Sequence, residues 1–197
     1  MSFRKEIKVR LTKHDYESIK NKFLCDGMKP LYPKRAINSL YYDTEVFCMH
    51  LDSEEGLLPR RKVRLRWYND IRKANHEVKI SSIEGRFKTS SAFYVPSEYL
   101  LPKHLHDTFY GVIYPSLRVF YVREYFLFEQ MRITFDSDIR YINQRLSQSI
   151  PFEDGECVME IKVGIESSDD FVERMIPFQT SRFSKYSRGL LVSKGQL

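Results

Sequence analysis

The sequence predicts an α+β protein that is mainly β, with eight antiparallel strands closing into a barrel and a few short flanking helices. Polar and apolar residues alternate with a period of two in eight segments, and no β-α-β rhythm links these segments. Aromatic residues make up 14% of the chain, a bias typical of β-structure. Because no repeat, low-complexity tract or linker is found, residues 1–197 are expected to form a single domain.

The amino-terminal part predicts a strand, a helix and a second strand. Residues 3–11 alternate charged with apolar side chains, as in a strand with one buried face. Thr12 is a suitable N-cap, and residues 13–25 carry an apolar stripe at helical spacing that ends before a glycine. Two prolines predict a loop at 30–33, after which residues 36–42 alternate again as the second strand.

The middle of the chain predicts three strands with short connections. A short helical turn is expected after Asp43, and the polar residues 53–56 are expected to form a loop. The strands lie at residues 60–68, 76–81 and 86–94. A charged turn separates the first two, and a hairpin turn that contains glycine separates the last two. Residues 96–106 have a weak helical pattern.

The carboxy-terminal part predicts the remaining three strands. They lie at residues 117–128, 132–138 and 157–163. The polar segment 143–156 is expected to be irregular. A short helix is predicted at 167–175, where serines precede two acidic residues, and a basic tail follows at 181–191.

Charge and cysteine content limit the partners and the compartment. A formal net charge of +6 and a pI near 9.1 favour an acidic partner, such as nucleic acid, anionic lipid or a phosphate compound. Three widely spaced cysteines predict neither a disulfide framework nor a zinc site, which fits a reducing compartment. Because the sequence has no signal-like start and no long apolar segment, we expect a soluble, cytoplasmic protein whose membrane association would need a partner protein.

The predicted strand at 60–68 has an unusual concentration of positive charge. One face is cationic and consists of Arg60, Lys62, Arg64 and Arg66. The other face is mostly apolar and consists of Arg61, Val63, Leu65 and Trp67. The cationic face is either solvated, with its long stems covering apolar neighbours, or in need of an anion that offsets the repulsion. The strand alone leaves both interpretations open.

Three other strands place a carboxylate two residues from a cation. The pairs are Glu6 with Lys8, Glu77 with Lys79 and Glu160 with Lys162. Taken alone, each pair is explained equally well by a cross-strand ion pair and by a functional site. Together with the other cations, they favour a barrel with a charged interior, which must hold water and a polyanion because unpaired buried charge is costly. Its acidic residues would hold a divalent cation. Asp136 and Asp138 could assist in binding this cation, although a structural role in a turn is favoured for them.

Seven motifs occur in the order seen in VTC domains. They are Glu6-Ile7-Lys8, residues 38–44, residues 62–66, Glu77-Val78-Lys79, Tyr121-Val122-Arg123-Glu124, Glu160-Ile161-Lys162 and Phe183-Ser184-Lys185-Tyr186. The chain therefore resembles VTC domains, members of the triphosphate tunnel metalloenzyme superfamily alongside the CYTH-like proteins, over nearly its whole length. The resemblance implies a tunnel that binds ATP, triphosphate or polyphosphate with manganese or magnesium. In VTC proteins that make polyphosphate, the terminal phosphate of ATP is transferred onto a growing chain.

The resemblance also implies roles for individual residues. The catalytic residues would be Lys8, Arg64, Arg66, Lys79, Arg123 and Lys185. Further substrate-binding residues would be Lys62, Lys88, Tyr121, Arg132, Lys162, Arg182 and Ser184. Glu160 would bind the metal, with Glu6 as a second ligand. Arg86 could take the place of Lys88 after a small shift in register.

Other functions stay open. CYTH proteins begin with Glu-x-Glu-x-Lys, whereas Arg4 replaces the first carboxylate here, which weakens a hydrolase interpretation. An inorganic tri- or polyphosphatase of the same fold and a non-catalytic polyphosphate sensor are the alternatives. An RNA-binding barrel ranks last, because Tyr41, Tyr42 and Trp67 lie among apolar neighbours in the sequence, so no nucleic-acid partner is expected.

Overall fold

The structure, a computed structural model that describes residues 4–147, 150–164 and 179–196, consists mainly of β-strands. The strands are β1 (Arg4–Leu11), β2 (Lys29–Asp43), β3 (Arg60–Trp67), β4 (Ala74–Ser82), β5 (Gly85–Phe93), β6 (Leu105–Asp107), β7 (Gly111–Phe128), β8 (Met131–Asn143), β9 (Phe152–Glu153) and β10 (Cys157–Gly164). The α-helices in the described residues are α1 (Lys13–Cys25), α2 (Cys48–Glu55) and α3 (Lys185–Ser193). None of the helices in this part of the chain is long and apolar enough to span a bilayer.

The strands pair in the order β1-β10-β8-β7-β2-β3-β4-β5, with β6 on β7 and β9 on β8. The pairs β1–β10, β10–β8, β2–β3, β3–β4 and β4–β5 are antiparallel. The eight strands of this path correspond to the eight predicted segments, so the mainly antiparallel α+β fold is confirmed. Within the described residues, β1 and β5 are the two ends of the path and the sheet is not closed. The barrel therefore stays a prediction.

Three strands are much longer than their sequence patterns predicted. β2 begins at Lys29, so the loop predicted at 30–33 is wrong, and β7 begins at Gly111. Proline is compatible with a strand where its nitrogen is not needed for the ladder, and Pro30, Pro33 and Pro115 all lie in these early segments. β8 likewise extends to Asn143.

The helix predictions had mixed outcomes. α1 has the predicted bounds, with the Thr12 side chain accepting a hydrogen bond from the Asp15 amide. α2 continues to Glu55, so the loop predicted at 53–56 is wrong, and Gly56 ends the helix with a φ of 77°. Prolines limit the segment 96–106 to one 3-10 turn at Glu98–Leu100 and the strand β6. The segment 143–156 contains β9, and the predicted helix at 167–175 lies outside the described residues.

The chain divides into two compact units. The first comprises Met1–Arg35, Tyr121–Ile139 and Asp154–Phe183, and the second comprises Ala36–Phe120, Arg140–Glu153 and Ser184–Leu197. In the first unit, α1 packs its buried residues against one face of the strands, and its core includes Tyr16, Ile19, Phe23, Val9, Ile133, Phe135, Met159 and Ile161. The single-domain expectation stays a prediction.

The second unit has a separate apolar core on one face of its strands. This core includes Leu40, Tyr42, Met49, Val63, Leu65, Trp67, Val95 and Ile113. α3 also approaches these strands closely, because Gly189 has no side chain: a Cβ there would lie 2.6 Å from Leu117 Cδ2 and 2.9 Å from Tyr141 Cγ. Side chains alternate along a strand, so the face of β3 opposite the apolar core carries Lys62, Arg64 and Arg66.

Candidate functional site

In the first unit, the strand face opposite the α1 core is charged, and we call it the β10 face. It consists of Glu6, Lys8, Arg123, Arg132, Asp136, Glu160 and Lys162. Register explains the grouping, because Glu160 lies between Lys8 and Thr134 while Lys162 lies between Glu6 and Arg132. The alternation that buries one face of these strands thus brings six of the predicted site residues together on the other.

Ion pairs connect the β10 face. The guanidinium of Arg123 binds both carboxylate oxygens of Asp136, at 2.5 and 2.7 Å, and lies 3.9 Å from a carboxylate oxygen of Glu160. Lys162 Nζ lies 3.0 Å from Glu160. Lys8 Nζ lies 3.4 Å from Glu6 and donates to the Phe183 carbonyl oxygen at 3.1 Å. The role in a turn that we favoured for Asp136 is wrong, since this side chain is fully buried and paired.

Electrostatics keep Glu160 ionised. Burial raises the pKa of this carboxyl group, but the charges of Arg123, Lys162 and Lys8 outweigh burial and hold its pKa well below the usual range. Aromatic rings lie near two arginines of this face, and one of these rings belongs to the predicted residue Tyr121. Tyr121 is buried with the Arg123 guanidinium 5.3 Å from its ring centroid, and Arg132 lies over the rings of Tyr32 and Tyr125 with a buried Nε that has no hydrogen-bond partner.

The second unit has its own charged surface, which we call the β3 face. It consists of Tyr41, Asp43, Lys62, Arg64, Arg66, Glu77, Lys79 and Lys88. Arg64 lies opposite Tyr41 on one neighbouring strand and opposite Glu77 on the other, and Lys79 lies opposite both Lys62 and Lys88. Among the described residues, the cations of this face therefore outnumber its carboxylates.

Glu77 is the carboxylate around which these cations gather. Arg64 donates to it from Nε and Nη2 at 2.8 and 2.6 Å, Lys88 donates at 2.6 Å, and Arg66 Nη1 lies at 3.8 Å. Burial raises the pKa of Glu77, but Arg64, Arg66 and Lys88 lower it to about 2. Lys88 rather than Arg86 contacts this carboxylate, and which of the two binds substrate stays a prediction.

Tyr41 is a member of the β3 face that the sequence analysis missed. We interpreted it as a residue among apolar neighbours, which is wrong, because its phenol oxygen accepts a hydrogen bond from Arg64 Nη1 at 2.7 Å. Strand parity could have identified it, since Ser39, Tyr41 and Asp43 alternate with the buried Leu40 and Tyr42. Tyr42 and Trp67, by contrast, belong to the apolar core as expected.

The predicted carboxy-terminal contacts lie at the start of α3. Ser184 is the N-cap of this helix and accepts a hydrogen bond from Lys62 Nζ at 2.9 Å. Lys185 is the first helical residue and is half-buried, whereas Arg182 is exposed and belongs to the first unit. Ser184 and Lys62 are thus in contact, and their role in phosphate binding stays a prediction.

The metal prediction finds only partial support in the donor set. Glu160 offers an ionised carboxylate, but its nearest charged neighbours are cations, and Glu6 is paired with Lys8. In the described ranges, no three His, Cys, Asp or Glu side chains converge to hold an ion. These residues do not fit a metal held by the protein alone, and metal binding by Glu160 and Glu6 stays a prediction.

The fold has counterparts among solved structures. A candidate adenylyl cyclase from Hippeastrum with a dominant triphosphatase activity is 16% identical, with 99% of this chain and 97% of that chain covered and a TM-score of 0.53. A conserved hypothetical protein from Pyrococcus furiosus is 11% identical, with 93% and 99% covered and a TM-score of 0.53. A chain of the Schizosaccharomyces pombe Mediator head module is 10% identical, with 90% and 96% covered and a TM-score of 0.51. These likenesses establish the fold alone.

Sequence comparison is more specific. No curated protein matches the chain. The profile of the VTC domain, however, matches residues 3–100 and 108–194, which include both charged faces and the start of α3. Because this match extends over nearly the whole sequence, the chain belongs to the VTC-domain family.

Proposed function

We propose that the protein transfers the terminal phosphate of ATP onto a polyphosphate chain. The observation that carries this proposal is that five cations and two carboxylates lie together on the β3 face, where Glu77 pairs with Arg64 and Lys88. A linear polyanion would offset this excess, because each phosphate brings oxygens that accept hydrogen bonds from guanidinium and ammonium groups. The family match supports a phosphate compound over other anions.

The cations would act by positioning and by charge. Arg64 and Arg66 would each bind two oxygens of a phosphoryl group, while Lys62 and Lys79 would act as point charges. Holding the chain in line lowers the entropic cost of the transfer, and the fixed cations stabilise negative charge on the transferred group. The acceptor is orthophosphate or a chain end, which is already anionic, so the transfer needs no strong base and no covalent enzyme intermediate.

The predicted roles of the β10 face belong to the same proposal. Lys8, Arg123 and Lys162 would contact phosphate oxygens. Mn²⁺ or Mg²⁺ would enter already bound to the phosphate chain, and Glu160 would be its ligand from the protein. The chain is proposed to act as one domain, since the family match runs through both units. The widely spaced cysteines support a cytoplasmic location.

Triphosphate hydrolysis is the second candidate. The Hippeastrum protein of the same fold has a dominant triphosphatase activity, which supports this alternative. It would require a water in place of the phosphate acceptor and a group that orients this water. Arg4, in place of the first carboxylate of the CYTH motif, argues against it.

Incubation with ATP and Mn²⁺ tests the proposal. We expect ADP and a polyphosphate product. Both should be lost in the double variant Arg64→Ala, Arg66→Ala. Both should be retained in the control Arg118→Ala, because Arg118 pairs with Glu98 rather than with a residue of the β3 face. Orthophosphate without polymer would replace the polymerase with a triphosphatase. Tight polyphosphate binding without turnover would make the protein a sensor, and absence of binding would overturn the proposed function.

A further inference from the structure

The phenol of Tyr41 has an unusual hydrogen-bonding position on the β3 face. Its oxygen accepts a hydrogen bond from Arg64 Nη1 at 2.7 Å, and the Arg64 guanidinium lies 5.5 Å from its ring centroid. In the described part of the chain, no acceptor is in hydrogen-bond contact with the hydroxyl proton of Tyr41. A phenol in this position has its proton available for a hydrogen bond to an anion that enters the site.

Both the ring and the backbone of Tyr41 are held in place by neighbours. Tyr186 of α3 stacks on it with 4.8 Å between ring centroids and 19° between planes, and Ser116 Oγ donates to the Tyr41 carbonyl oxygen at 3.0 Å. Tyr186 is fixed in turn, because its hydroxyl donates to Asp43 at 2.6 Å. Tyr41 is 7% exposed, so most of the side chain is packed against protein.

Charged groups surround the phenol on several elements, together with one neutral phenol. The charged groups are Arg64 and Arg66 of β3, Glu77 and Lys79 of β4, Lys88 of β5 and Asp43 of β2, and the neutral phenol is Tyr186 of α3. The two carboxylates are already engaged, Glu77 by Arg64 and Lys88, and Asp43 by Tyr186 and backbone amides of α2. Neither hydrogen-bonds the Tyr41 hydroxyl, so cations dominate around it.

The pKa of Tyr41 reflects the cations around its hydroxyl. Burial raises the pKa of Tyr41, but Arg64, Arg66 and Lys79 outweigh burial and lower the pKa to about 7. Tyr42, one residue away on the apolar face, has its pKa raised by burial. The difference between these adjacent tyrosines comes from the cations, which face only Tyr41.

We propose that Tyr41 contacts the substrate directly, donating its hydroxyl proton to a phosphate oxygen, and that binding of a polyphosphate chain is coupled to uptake of a proton by this phenol. The proposal rests on the proposed function of the β3 face. A bound polyanion neutralises Arg64, Arg66 and Lys79, which removes the charges that favour phenolate. The proton comes from the buffer and ends in a hydrogen bond between the Tyr41 oxygen and the phosphate.

Calorimetric titration of tripolyphosphate in buffers of different ionisation enthalpy measures this proton. The ligand's own ionisation is common to all variants, so the difference between wild type and Tyr41→Phe isolates the phenol. We expect the wild type to take up about half a proton more than Tyr41→Phe at pH 7, and about nine tenths more at pH 8. The affinity should fall about five-fold in Tyr41→Phe, as for one lost hydrogen bond. Tyr42→Phe removes a phenol from the opposite face and should leave the proton count unchanged.

Tyrosinate absorption of the wild type gives a second readout that needs no variant. One tyrosine should ionise near pH 7, and tripolyphosphate should shift this ionisation to higher pH. Equal proton counts in wild type and a folded Tyr41→Phe, or no tyrosine that ionises below about pH 9, would overturn the role of Tyr41 while leaving polyphosphate binding intact. A wild-type protein that does not bind tripolyphosphate would overturn the proposed function and this inference together.

Discussion

Arg123 and Asp136 form a two-point ion pair, in which Nε and Nη2 lie 2.5 and 2.7 Å from the two carboxylate oxygens. Burial lowers the pKa of Arg123, but the charge of Asp136, its hydrogen bonds and the charge of Glu160 raise it well above the usual value. The guanidinium is therefore a permanent cation in a fixed orientation. It faces Glu160 across 3.9 Å, so Asp136 orients a predicted catalytic residue without being accessible itself.

Removing the carboxylate charge of Asp136 is expected to destabilise the fold. Asp136→Asn removes the charge that binds a buried guanidinium at two points and leaves only the more distant Glu160, a change expected to cost up to about 3–5 kcal/mol of unfolding free energy. Chemical denaturation measures this change. Asp138→Asn is the matched control, because Asp138 is exposed on the same strand and should change stability by less than about 0.5 kcal/mol. Similar losses in both variants would show that the ion pair is not the cause.

The ionisation of Glu77 predicts a specific acid sensitivity. Its pKa lies at about 2 in the folded protein against a usual value of 4.5. A carboxyl group whose pKa is lower in the folded protein stabilises the fold when the pH is above the pKa of the unfolded state. This stabilisation is lost as the pH falls toward the pKa of the folded state. For this shift the contribution is about 3 kcal/mol, lost between about pH 4.5 and pH 2.

Comparison of the wild type with Glu77→Gln isolates this contribution. The difference in unfolding free energy should be largest at neutral pH and should shrink through the window from about pH 4.5 to about pH 2, as measured by denaturation at several pH values. A difference that does not vary with pH would contradict the depressed pKa.

Much of the fold could be predicted because alternation is a local signal. A strand that buries one face must repeat every two residues, and this period located all eight strands of the main path. The extended start of β2 carries no such signal, since its residues are mostly exposed and include two prolines. Closure of the sheet depends on pairings distant in sequence, which a pattern within one strand does not specify.

The candidate site was predictable in its cations but not in their partners. Arg64 and Arg123 were identified from motifs that resemble the VTC family. The groups that orient them, Glu77 and Asp136, depend on cross-strand register and burial, which a single strand does not reveal. Tyr41 was missed for a different reason, because a tyrosine fits both faces of a strand and only its parity with Asp43 indicated the charged one.

The close approach of α3 to its strands predicts a strict requirement for glycine at position 189. In Gly189→Ala, the new Cβ would lie 2.6 Å from Leu117 Cδ2 and would also meet the Tyr141 ring, so the helix or the strands must move. We expect a loss of about 1–3 kcal/mol in unfolding free energy. Because α3 begins at Ser184 and Lys185, tripolyphosphate affinity should also fall.

The control for this variant is Gly155→Ala. A Cβ at Gly155 would meet no atom within 4 Å, and the backbone there is not left-handed. Its stability and affinity should match the wild type in thermal unfolding and calorimetry. If Gly189→Ala behaves in the same way, α3 does not depend on this close approach.

Arg64 and Arg118 allow a matched test of the β3 face within the second unit. Each guanidinium lies over an aromatic ring, Arg64 at 5.5 Å from Tyr41 and Arg118 at 5.3 Å from Trp67, and each pairs with a glutamate. Lysine keeps the charge but loses the planar fork that binds two oxygens at once. Arg64→Lys should therefore weaken tripolyphosphate binding about ten-fold or more, while Arg118→Lys should leave the affinity unchanged. Calorimetry on both folded variants measures the contrast, and equal affinities would remove Arg64 from the phosphate site.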